Sequence, residues 1–259
     1  MTEVVQRTVR DGVALLTLNR PERLNAWTGE MGRAYFDLLE ECASSEDVRV
    51  VVVTGAGRGF CAGADMQDLK ALGEGDLDGV SMVADERPQS FPLSIEKPII
   101  AAVNGACVAG GMEMLGGCDL RVAVPESYFG VMEPKRGLFA GGGTTVRLPR
   151  QIPYPAAMEF LLCADRVPAE QALAFGLLNA VVPADQLRDK AMEYAHRITA
   201  NGPLAVRKTK ESVLRGLAVD MKEAYRIESS IATEVFSSED AKEGPTAFVE
   251  KRPPRWTGR

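Results

Sequence analysis

Two glycine-rich segments of the sequence could bring backbone amides close to a ligand. The first, Gly59 to Met66, follows the apolar run VVVTG, and the second, Asn104 to Met114, follows Ile99 to Val103. Small residues allow a backbone to approach another group closely, although a tight turn alone would use them too. Gly110 opens a stretch of good helix formers, and N–H groups at a helix start lack an intrahelical partner and stabilise an anion. Two such turns on neighbouring strands could hold one oxyanion.

Two glutamates are candidates for moving protons near that oxyanion. Glu113 lies three residues after Gly110, one helical turn further on, so its carboxylate can return to the side where the amides point. Glu133 precedes Pro134, which disfavours helix at the glutamate itself. A single glutamate is most often a solvated surface charge, so position alone assigns neither residue a role. If the two carboxyls lie close together, the pKa of one should be raised, so that it is protonated near neutral pH.

These segments need a scaffold, and four runs of the sequence predict strands. Gly12 to Asn19 predicts a strand that ends before Pro21, because proline lacks an N–H for the ladder. Val48 to Val53, Ile99 to Val103 and Leu120 to Val124 are nearly continuously apolar, which is typical of strands covered on both faces. Repeated units of strand, glycine turn and helix predict an α/β fold.

Helices are predicted after the first strand and through the last third of the chain. Turn and capping residues mark their ends. The predicted helices are Thr28 to Cys42, Pro168 to Phe175, Ala184 to Ala200, Pro203 to Gly216 and Asp220 to Phe236. Ser237 with Asp240 predicts an N-terminal capping box for the last helix.

Composition excludes several classes of protein. The 259 residues include 46% hydrophobic and 25% charged residues, which suits one sizeable globular unit. The net charge of −6 argues against a general nucleic-acid surface, so an anionic ligand would need a local basic patch. No apolar run approaches the roughly 20 residues that span a bilayer. Residues 1–10 show no secretory signal, and we expect a cytoplasmic protein.

Cysteine and histidine offer little for a metal site. The five cysteines form no CxxC pair, and His196 is the one histidine of the sequence. We expect reduced and mostly buried thiols, and His196 to be a surface or packing residue on its predicted helix. The predictions are therefore no metal and no cofactor.

Six motifs in order make the chain resemble the enoyl-CoA hydratase/isomerase, or crotonase, superfamily, most closely its actinobacterial hydratases. One motif alone would be weak, but six at the family's spacing cover nearly the whole chain. They are NRPERLNA (19–26), GRGFCAGADM (57–66), NGACVAGGMEM (104–114), FGVMEPKRGL (129–138), GGGTTVRLPR (141–150) and AFVEKRPPRW (247–256).

The resemblance implies a reaction and a set of roles. It implies reversible hydration of a trans-2-enoyl-CoA to a 3-hydroxyacyl-CoA, in which coenzyme A is part of the substrate rather than a cofactor. The backbone amides of Ala64 and Gly110 match the family's oxyanion donors. Glu113 matches the base that orients and activates water for attack at C3, and Glu133 matches the group that gives a proton to C2.

The resemblance also implies where coenzyme A binds. The turn at NRPERLNA and the turn at AGAD would lie along the nucleotide and the pantetheine, and the C-terminal motif would reach it, in many members from a neighbouring subunit. A solvated basic tail is the alternative for that motif. The matching residues are Arg23, Leu24, Ala26, Ala62, Asp65, Met66, Phe248 and Lys251.

One motif departs from the family pattern. The common Gln-Pro-Glu is replaced by Val131-Met132-Glu133, which keeps the carboxylate, changes its support and puts a preference for straight-chain substrates in doubt. We expect residues 70–93, either a loop or a short irregular helix, and Arg136 to Ala140 to shape the acyl pocket. The motif GGGTTVRLPR we interpret as mainly structural, a glycine turn leading into a helix.

The expected architecture is a crotonase-like spiral of strand-strand-helix turns over residues 1–195, with a C-terminal helical region, 196–259, that forms a homotrimer or a dimer of trimers. A Δ3,Δ2-enoyl-CoA isomerase is the nearest rival, but isomerases usually lack the carboxylate at the Glu113 position. A non-catalytic acyl-CoA binder or RNA-associated homologue is the other alternative, because fold does not fix function. The intact glutamates and the acidic balance favour an enzyme that binds neither nucleic acid nor membrane.

Overall fold

The computed structural model describes residues 3–76 and 94–259, and in these residues the larger of two sheets has six strands. Their order is β1-β2-β3-β5-β7-β10; β1 and β2 are antiparallel and the other neighbours are parallel. The strands are β1 (Val5–Arg10), β2 (Val13–Leu18), β3 (Val50–Gly55), β5 (Ile99–Val103), β7 (Leu120–Ala123) and β10 (Ala180–Val181).

The smaller sheet carries the segments that were singled out for their chemistry. Its order is β4-β6-β8-β9, with β4, β6 and β8 parallel to one another and β9 antiparallel to β8. The strands are β4 (Gly59–Cys61), β6 (Ala106–Val108), β8 (Tyr128–Gly130) and β9 (Val167–Pro168). Because the carboxyl ends of parallel neighbours meet at one edge, the residues that follow β4, β6 and β8 come together there.

The chain visits the two sheets in turn and then enters a helix. It runs from β3 through β4 into α2 (Met66–Glu74), from β5 through β6 into α3 (Gly110–Leu115), and from β7 through β8 into a short 3₁₀ helix, Glu133–Arg136. This spiral of strand-strand-helix turns confirms the predicted α/β crotonase-like fold class.

The predicted helices are present with ends shifted by a few residues. The range 184–200 is divided into a 3₁₀ turn, Ala184–Gln186, and an α-helix, Leu187–Thr199. Numbered in chain order with α2 and α3, the other α-helices of the described residues are α1 (Gly29–Ser44), α4 (Thr144–Gln151), α5 (Tyr154–Met158), α6 (Ala169–Ala174), α7 (Leu187–Thr199), α8 (Pro203–Gly216), α9 (Met221–Phe236) and α10 (Glu239–Val249). None of the helices described is long and apolar enough to cross a membrane.

The predicted capping box at Ser237 and Asp240 is wrong by one residue. The Ser238 hydroxyl accepts a hydrogen bond from the Ala241 amide at 3.1 Å and caps α10. Ser237 instead ends α9, and its hydroxyl donates to the Thr233 carbonyl at 2.7 Å. Asp240 accepts from the backbone of residues 257 and 258, so its carboxylate ties the last residues of the chain to α10.

Both faces of the central strands are buried, as their apolar sequences predicted. Val51 and Val53 of β3 point to one cluster of apolar side chains, and the alternate residues Val50 and Val52 point to a second. The second cluster is completed by Leu187, Ala191 and Ala195 of α7. The division of the chain at 195/196 falls inside this helix and stays a prediction.

Asn25 joins the NRPERLNA turn to the start of the smaller sheet. Its side chain is fully buried, and its amide donates to the carbonyls of Ala56 at 3.0 Å and Gly59 at 2.7 Å. The Arg20 amide donates to its side-chain oxygen at 2.8 Å. The φ of Asn25 is 55°, a left-handed conformation that asparagine tolerates better than most residues. The side chain therefore fixes the turn against the strand that leads to Ala64.

We predict that Asn25→Ala lowers the free energy of unfolding by about 2–4 kcal/mol, because the Ala56 carbonyl and the Arg20 amide lose their side-chain partner and alanine is strained at this φ. Urea unfolding followed by circular dichroism measures the change. Asn19→Ala is the matched control, since Asn19 makes one exposed bond to the Glu3 carbonyl, and it should cost less than about 1 kcal/mol. Equal losses in the two variants would contradict the prediction.

Candidate active site

A cleft of about 650 Å³ opens at the shared edge of the smaller sheet. Its walls combine small residues, two carboxyls and a group of apolar side chains. The apolar lining includes Trp27, Tyr35, Phe36, Leu69, Leu72, Met114, Met132, Leu138 and Phe139. The predicted site residues Ala62, Ala64, Gly110, Glu113 and Glu133 all line this cleft.

The Ala64 amide points away from its neighbouring chain segment. Trp27 and Ala64 form an isolated parallel bridge, in which the Trp27 amide donates to Gly63 at 2.7 Å and the Asp65 amide donates to Trp27 at 3.1 Å. The bridge uses the groups on either side of Ala64 and leaves its own N–H turned outward. Within residues 3–76 and 94–259, the Ala64 N–H donates to no backbone carbonyl.

The Gly110 amide is the first of helix α3 and has no intrahelical acceptor. The preceding residue, Ala109, is held at φ 49° and ψ −116°, and its own amide donates to the Gly130 carbonyl at 2.9 Å. The turns of Ala64 and Gly110 are in contact, because a Cβ added at Gly63 would lie 2.8 Å from the Ala109 Cβ. The two turns therefore meet, and their joint action on one oxyanion stays a prediction.

Glu113 is held by a loop that follows it in sequence by about thirty residues. The Gly142 amide donates to its Oε1 at 2.6 Å. Burial raises the pKa of Glu113 above its ordinary value, while the hydrogen bond from Gly142 and the charge of Arg147 act in the opposite direction. Glu113 is therefore partly buried, and two nearby groups favour its ionised form.

Glu133 is partly buried, and one of its carboxyl oxygens has no hydrogen bond. It begins the 3₁₀ helix after β8, and its Oε2 is buried and accepts no hydrogen bond from the part of the chain that the structure describes. Burial is the largest cause that raises the pKa of Glu133 and repulsion from Glu113 adds to it, while a hydrogen bond from its own backbone amide and the charge of Arg136 act in the opposite direction. The sequence predicted that proximity of the two carboxyls would raise one pKa; this repulsion does raise the pKa of Glu133, but burial raises it more.

The motif GGGTTVRLPR, interpreted from sequence as mainly structural, contributes directly to the site. Gly142 contacts the Glu113 carboxylate, and a Cβ added at Gly142 would lie 1.9 Å from the Glu113 Cδ. Arg147 is buried, and its Nη2 donates to the Glu113 carbonyl at 2.6 Å and to the Gly142 carbonyl at 2.7 Å. Sequence spacing could not reveal these contacts, although three successive glycines were a signal of a close approach.

The aromatic wall of the cleft was also missed. Trp27 stacks edge-on against Tyr35 at 6.0 Å and Phe36 at 6.1 Å between ring centroids, and Tyr35 is buried. The ring of Trp27 packs over Gly32, where an added Cβ would lie 3.1 Å from it. The signal lay in Trp27 itself, a large residue directly after NRPERLNA.

The residues expected near coenzyme A are divided between the cleft and the surface. Arg23 and Met66 are exposed, while Leu24 and Ala26 are partly or fully buried in the turn above Ala62. The Ala62 amide donates to the Leu24 carbonyl at 3.1 Å and so joins the two turns.

Asp65 has structural contacts on both of its oxygens. It accepts from the Gln67 amide at 3.0 Å, which caps α2, and it pairs with Arg20 at 2.9 Å. Its side chain therefore holds the turn of Ala64 to the segment that contains Asn25.

Phe248 and Lys251 do not reach the cleft of their own chain. Phe248 is 85% exposed near the end of α10, Lys251 follows it at φ 53°, and neither lines the cleft. Residues 77–93 of the segment expected to shape the acyl pocket lie outside the described residues, whereas Leu72, Arg136, Leu138 and Phe139 line the cleft.

Other candidate chemistry is absent from the described residues. In 3–76 and 94–259, no group of three or more His, Cys, Asp and Glu side chains could hold a metal ion. The five cysteines are free, and all but Cys163 are buried. His196 lies on α7, away from the cleft lining.

Comparison with known proteins agrees with this geometry. The family model described as enoyl-CoA hydratase/isomerase matches residues 8–259. An enoyl-CoA hydratase of Mycobacterium tuberculosis is 40% identical over 252 residues, 96% of this chain and 95% of its own. A short-chain-enoyl-CoA hydratase of Clostridium acetobutylicum is 36% identical over 93% of this chain and 92% of its own.

A solved structure extends the likeness to three dimensions. The crystal structure of an enoyl-CoA hydratase from Mycobacterium tuberculosis superposes with a TM-score of 0.91 at 40% identity, and covers 99% of this chain and 100% of that chain. Sequence and fold therefore agree over the whole described chain. The protein belongs to the enoyl-CoA hydratase/isomerase family and is an enzyme of its hydratase branch.

Proposed function

We propose that this protein adds water across the double bond of a trans-2-enoyl-CoA and gives a 3-hydroxyacyl-CoA. The observation that carries the proposal is that two outward-pointing amides and two partly buried carboxyls, those of Glu113 and Glu133, line one largely apolar cleft. Hydration of a conjugated thioester needs these parts. Negative charge develops on the thioester oxygen while hydroxide and a proton add to the alkene.

The amides of Ala64 and Gly110 act on the thioester oxygen in this proposal. Both belong to rigid backbone at the ends of parallel strands, so they need little reorganisation as charge develops. Each oxyanion donor contributes roughly 2.7–4 kcal/mol to stabilisation of the transition state. Only the backbone takes part, and the side chains matter through their small size.

The two carboxyls divide the proton transfers. The Gly142 amide supports the ionised form of Glu113. Glu113 accepts a proton from water while the water oxygen bonds to C3. Glu133, whose neutral form is favoured by burial, gives its proton to C2. A proton then returns from Glu113 to Glu133 through solvent, which resets the enzyme. The two carboxyls and water complete the reaction, and we propose no metal and no separate cofactor.

The lining of the cleft indicates the general chemistry of the acyl group. The aromatic and aliphatic wall of the cleft favours an apolar acyl chain beside the thioester. The retained carboxylate at Glu113 supports hydratase over Δ3,Δ2-isomerase activity, because an isomerase needs one base to carry a proton between C4 and C2. A panel of enoyl-CoA thioesters from crotonyl to polycyclic acyl groups, followed by loss of the conjugated absorbance, tests the reaction and its substrate range.

We further propose a homotrimer or a dimer of trimers in the cytoplasm. The C-terminal region exposes several large apolar side chains, and a large exposed apolar patch often marks an interface between proteins. They include Val213, Leu217, Val219, Met221, Tyr225, Phe236, Phe248 and Val249. In such an assembly, Phe248 and Lys251 would reach the coenzyme A of a neighbouring subunit.

Glu113→Gln and Glu133→Gln should each lower kcat by about 10²–10⁴-fold with little change in KM, because both groups act mainly in the transition state. Steady-state hydration of the best substrate of the panel measures the effect. A fully active Glu113→Gln enzyme would instead favour the isomerase.

Gly142→Ala should lower kcat about 10²-fold, because the new Cβ would overlap the Glu113 carboxyl group and displace it. Gly141→Ala is the matched control: its Cβ would meet nothing closer than the Phe139 carbonyl at 3.9 Å, so kcat should stay close to that of the wild type. If both variants keep wild-type kcat, the proposed role of the Gly142 contact is wrong.

Lys251→Ala should raise KM for the CoA thioester and leave kcat almost unchanged, because a contact to phosphate or adenine lies far from the reacting carbons and stabilises ground and transition states alike. KM is measured for the CoA thioester and for the same acyl group on a truncated pantetheine carrier. A penalty of equal size with both carriers would show that Lys251 does not contact the nucleotide.

A further inference from the structure

Arg147 donates hydrogen bonds to both Glu113 and Gly142, the two residues whose contact positions the Glu113 carboxylate. Its guanidinium is buried, and a single nitrogen, Nη2, donates to the carbonyls of Glu113 and Gly142 at 2.6 and 2.7 Å. The Gly142 amide donates in turn to the Glu113 Oε1 at 2.6 Å. The three residues form a closed triangle of hydrogen bonds. Arg147 donates to the main-chain carbonyls of Glu113 and Gly142, and Gly142 donates to the Glu113 side chain.

The triangle joins three elements of the fold. Glu113 belongs to α3, whose first amide is that of Gly110, Gly142 lies in the loop before α4, and Arg147 belongs to α4. A shift of the Gly142 loop relative to α3 would therefore change both the orientation of the Glu113 carboxylate and its distance from the Gly110 amide. Hydrogen bonds from one charged nitrogen to both segments oppose that shift.

Two glycines make room for the guanidinium. A Cβ added at Gly116 would lie 3.1 Å from the Arg147 Nε, and one added at Gly143 would lie 3.2 Å from its Cζ. Gly143 is also held at φ +93°, a conformation that favours glycine. The planar group therefore lies in a fitted slot, which limits the positions it can take.

We propose that Arg147 is a positioning residue for the hydration reaction: its guanidinium fixes the Gly142 amide against the Glu113 carboxylate and keeps that carboxylate in register with the Gly110 amide. The inference rests on the proposed function, in which Glu113 is the base.

The charges around the triangle assign Arg147 a second effect. Burial raises the pKa of the Cys61 thiol beside Glu113 to about 12 and raises the pKa of Tyr35 well above its usual value, so both stay neutral. Repulsion from Glu113 raises the pKa of Glu133, and the positive charge of Arg147 lowers the pKa of Glu113. Among the residues that the structure describes, Cys118 and Arg121 are further titratable neighbours of Arg147. Removing Arg147 should therefore raise the pKa of Glu113.

Arg147→Met should lower kcat/KM about 10²-fold at neutral pH, since the base loses its alignment. It should also move the acid limb of the pH profile to higher pH, because Glu113 must be ionised to act and its ionised form has lost support. Arg150→Met is the matched control on the same helix: Arg150 is exposed and donates to the Val146 carbonyl of its own turn. The control should keep the profile of the wild type. A uniform loss of activity with no movement of the acid limb would overturn the proposal.

Arg147→Lys covers the case in which the methionine variant does not fold. Lysine keeps the charge but lacks the planar fork, so kcat should fall about 10-fold while the acid limb moves less than in Arg147→Met. Wild-type kcat and an unmoved acid limb in Arg147→Lys would contradict the positioning role.

A measurement independent of turnover separates this proposal from the proposed function. In protein labelled with ¹³C at the glutamate carboxyl carbon, NMR titration follows Glu113, assigned by its loss in Glu113→Gln. A raised Glu113 pKa in an Arg147 variant supports the proposal even if the wild type hydrates no enoyl-CoA of the panel. Hydration by the wild type with an unchanged Glu113 pKa in both Arg147 variants overturns the proposal and leaves the proposed function intact.

Discussion

Burial removes hydration from the Glu113 carboxylate, and its proposed role as a base depends on how that loss is offset. The Gly142 amide at 2.6 Å supplies a hydrogen bond to the charged form, and Arg147 supplies a positive charge without a direct bond to the carboxylate oxygens. A direct ion pair would lower the basicity of Glu113 further and occupy the oxygen that water needs. Support through a main-chain amide leaves the second oxygen available for water.

The positions of these groups depend on the edge of the smaller sheet where the site lies. Strands β4, β6 and β8 are parallel neighbours only three residues long, so the chain leaves each of them at the same level. Their exits carry the Ala64 amide, the Gly110 amide and Glu133. The larger sheet, buried on both faces, fixes the starting points of these short strands. Rigid main chain, rather than long side chains, therefore sets the distances between the reacting groups.

Local signals in the sequence were enough for much of the fold but not for all of the site. Continuous apolar runs predicted β3, β5 and β7, and spacing along one turn placed Glu113 near Gly110. The contacts of Glu113 with Gly142 and Arg147 join residues 29 and 34 positions apart, and no local periodicity reports such a distance. Ser237 and Ser238 could each cap a helix by type, and the choice depended on α9 continuing to Phe236.

The departure from Gln-Pro-Glu at Val131-Met132-Glu133 changes the balance between the two carboxyls. Val131 is buried and Met132 lines the cleft, so apolar groups precede the glutamate where the common pattern has an amide side chain. The Glu133 Oε2 is buried and has no hydrogen-bond partner within 3–76 and 94–259, and the groups that favour the ionised carboxyl, its own backbone amide and Arg136, are outweighed by burial. Its pKa is raised by burial first and by Glu113 second, so its neutral form persists to higher pH than that of an exposed glutamate. In the proposed mechanism Glu133 is neutral while Glu113 is ionised, and the raised pKa of Glu133 is consistent with that division of roles. The apolar residues Val131 and Met132 before Glu133 agree with burial, rather than a side-chain hydrogen bond, as the main influence on this carboxyl.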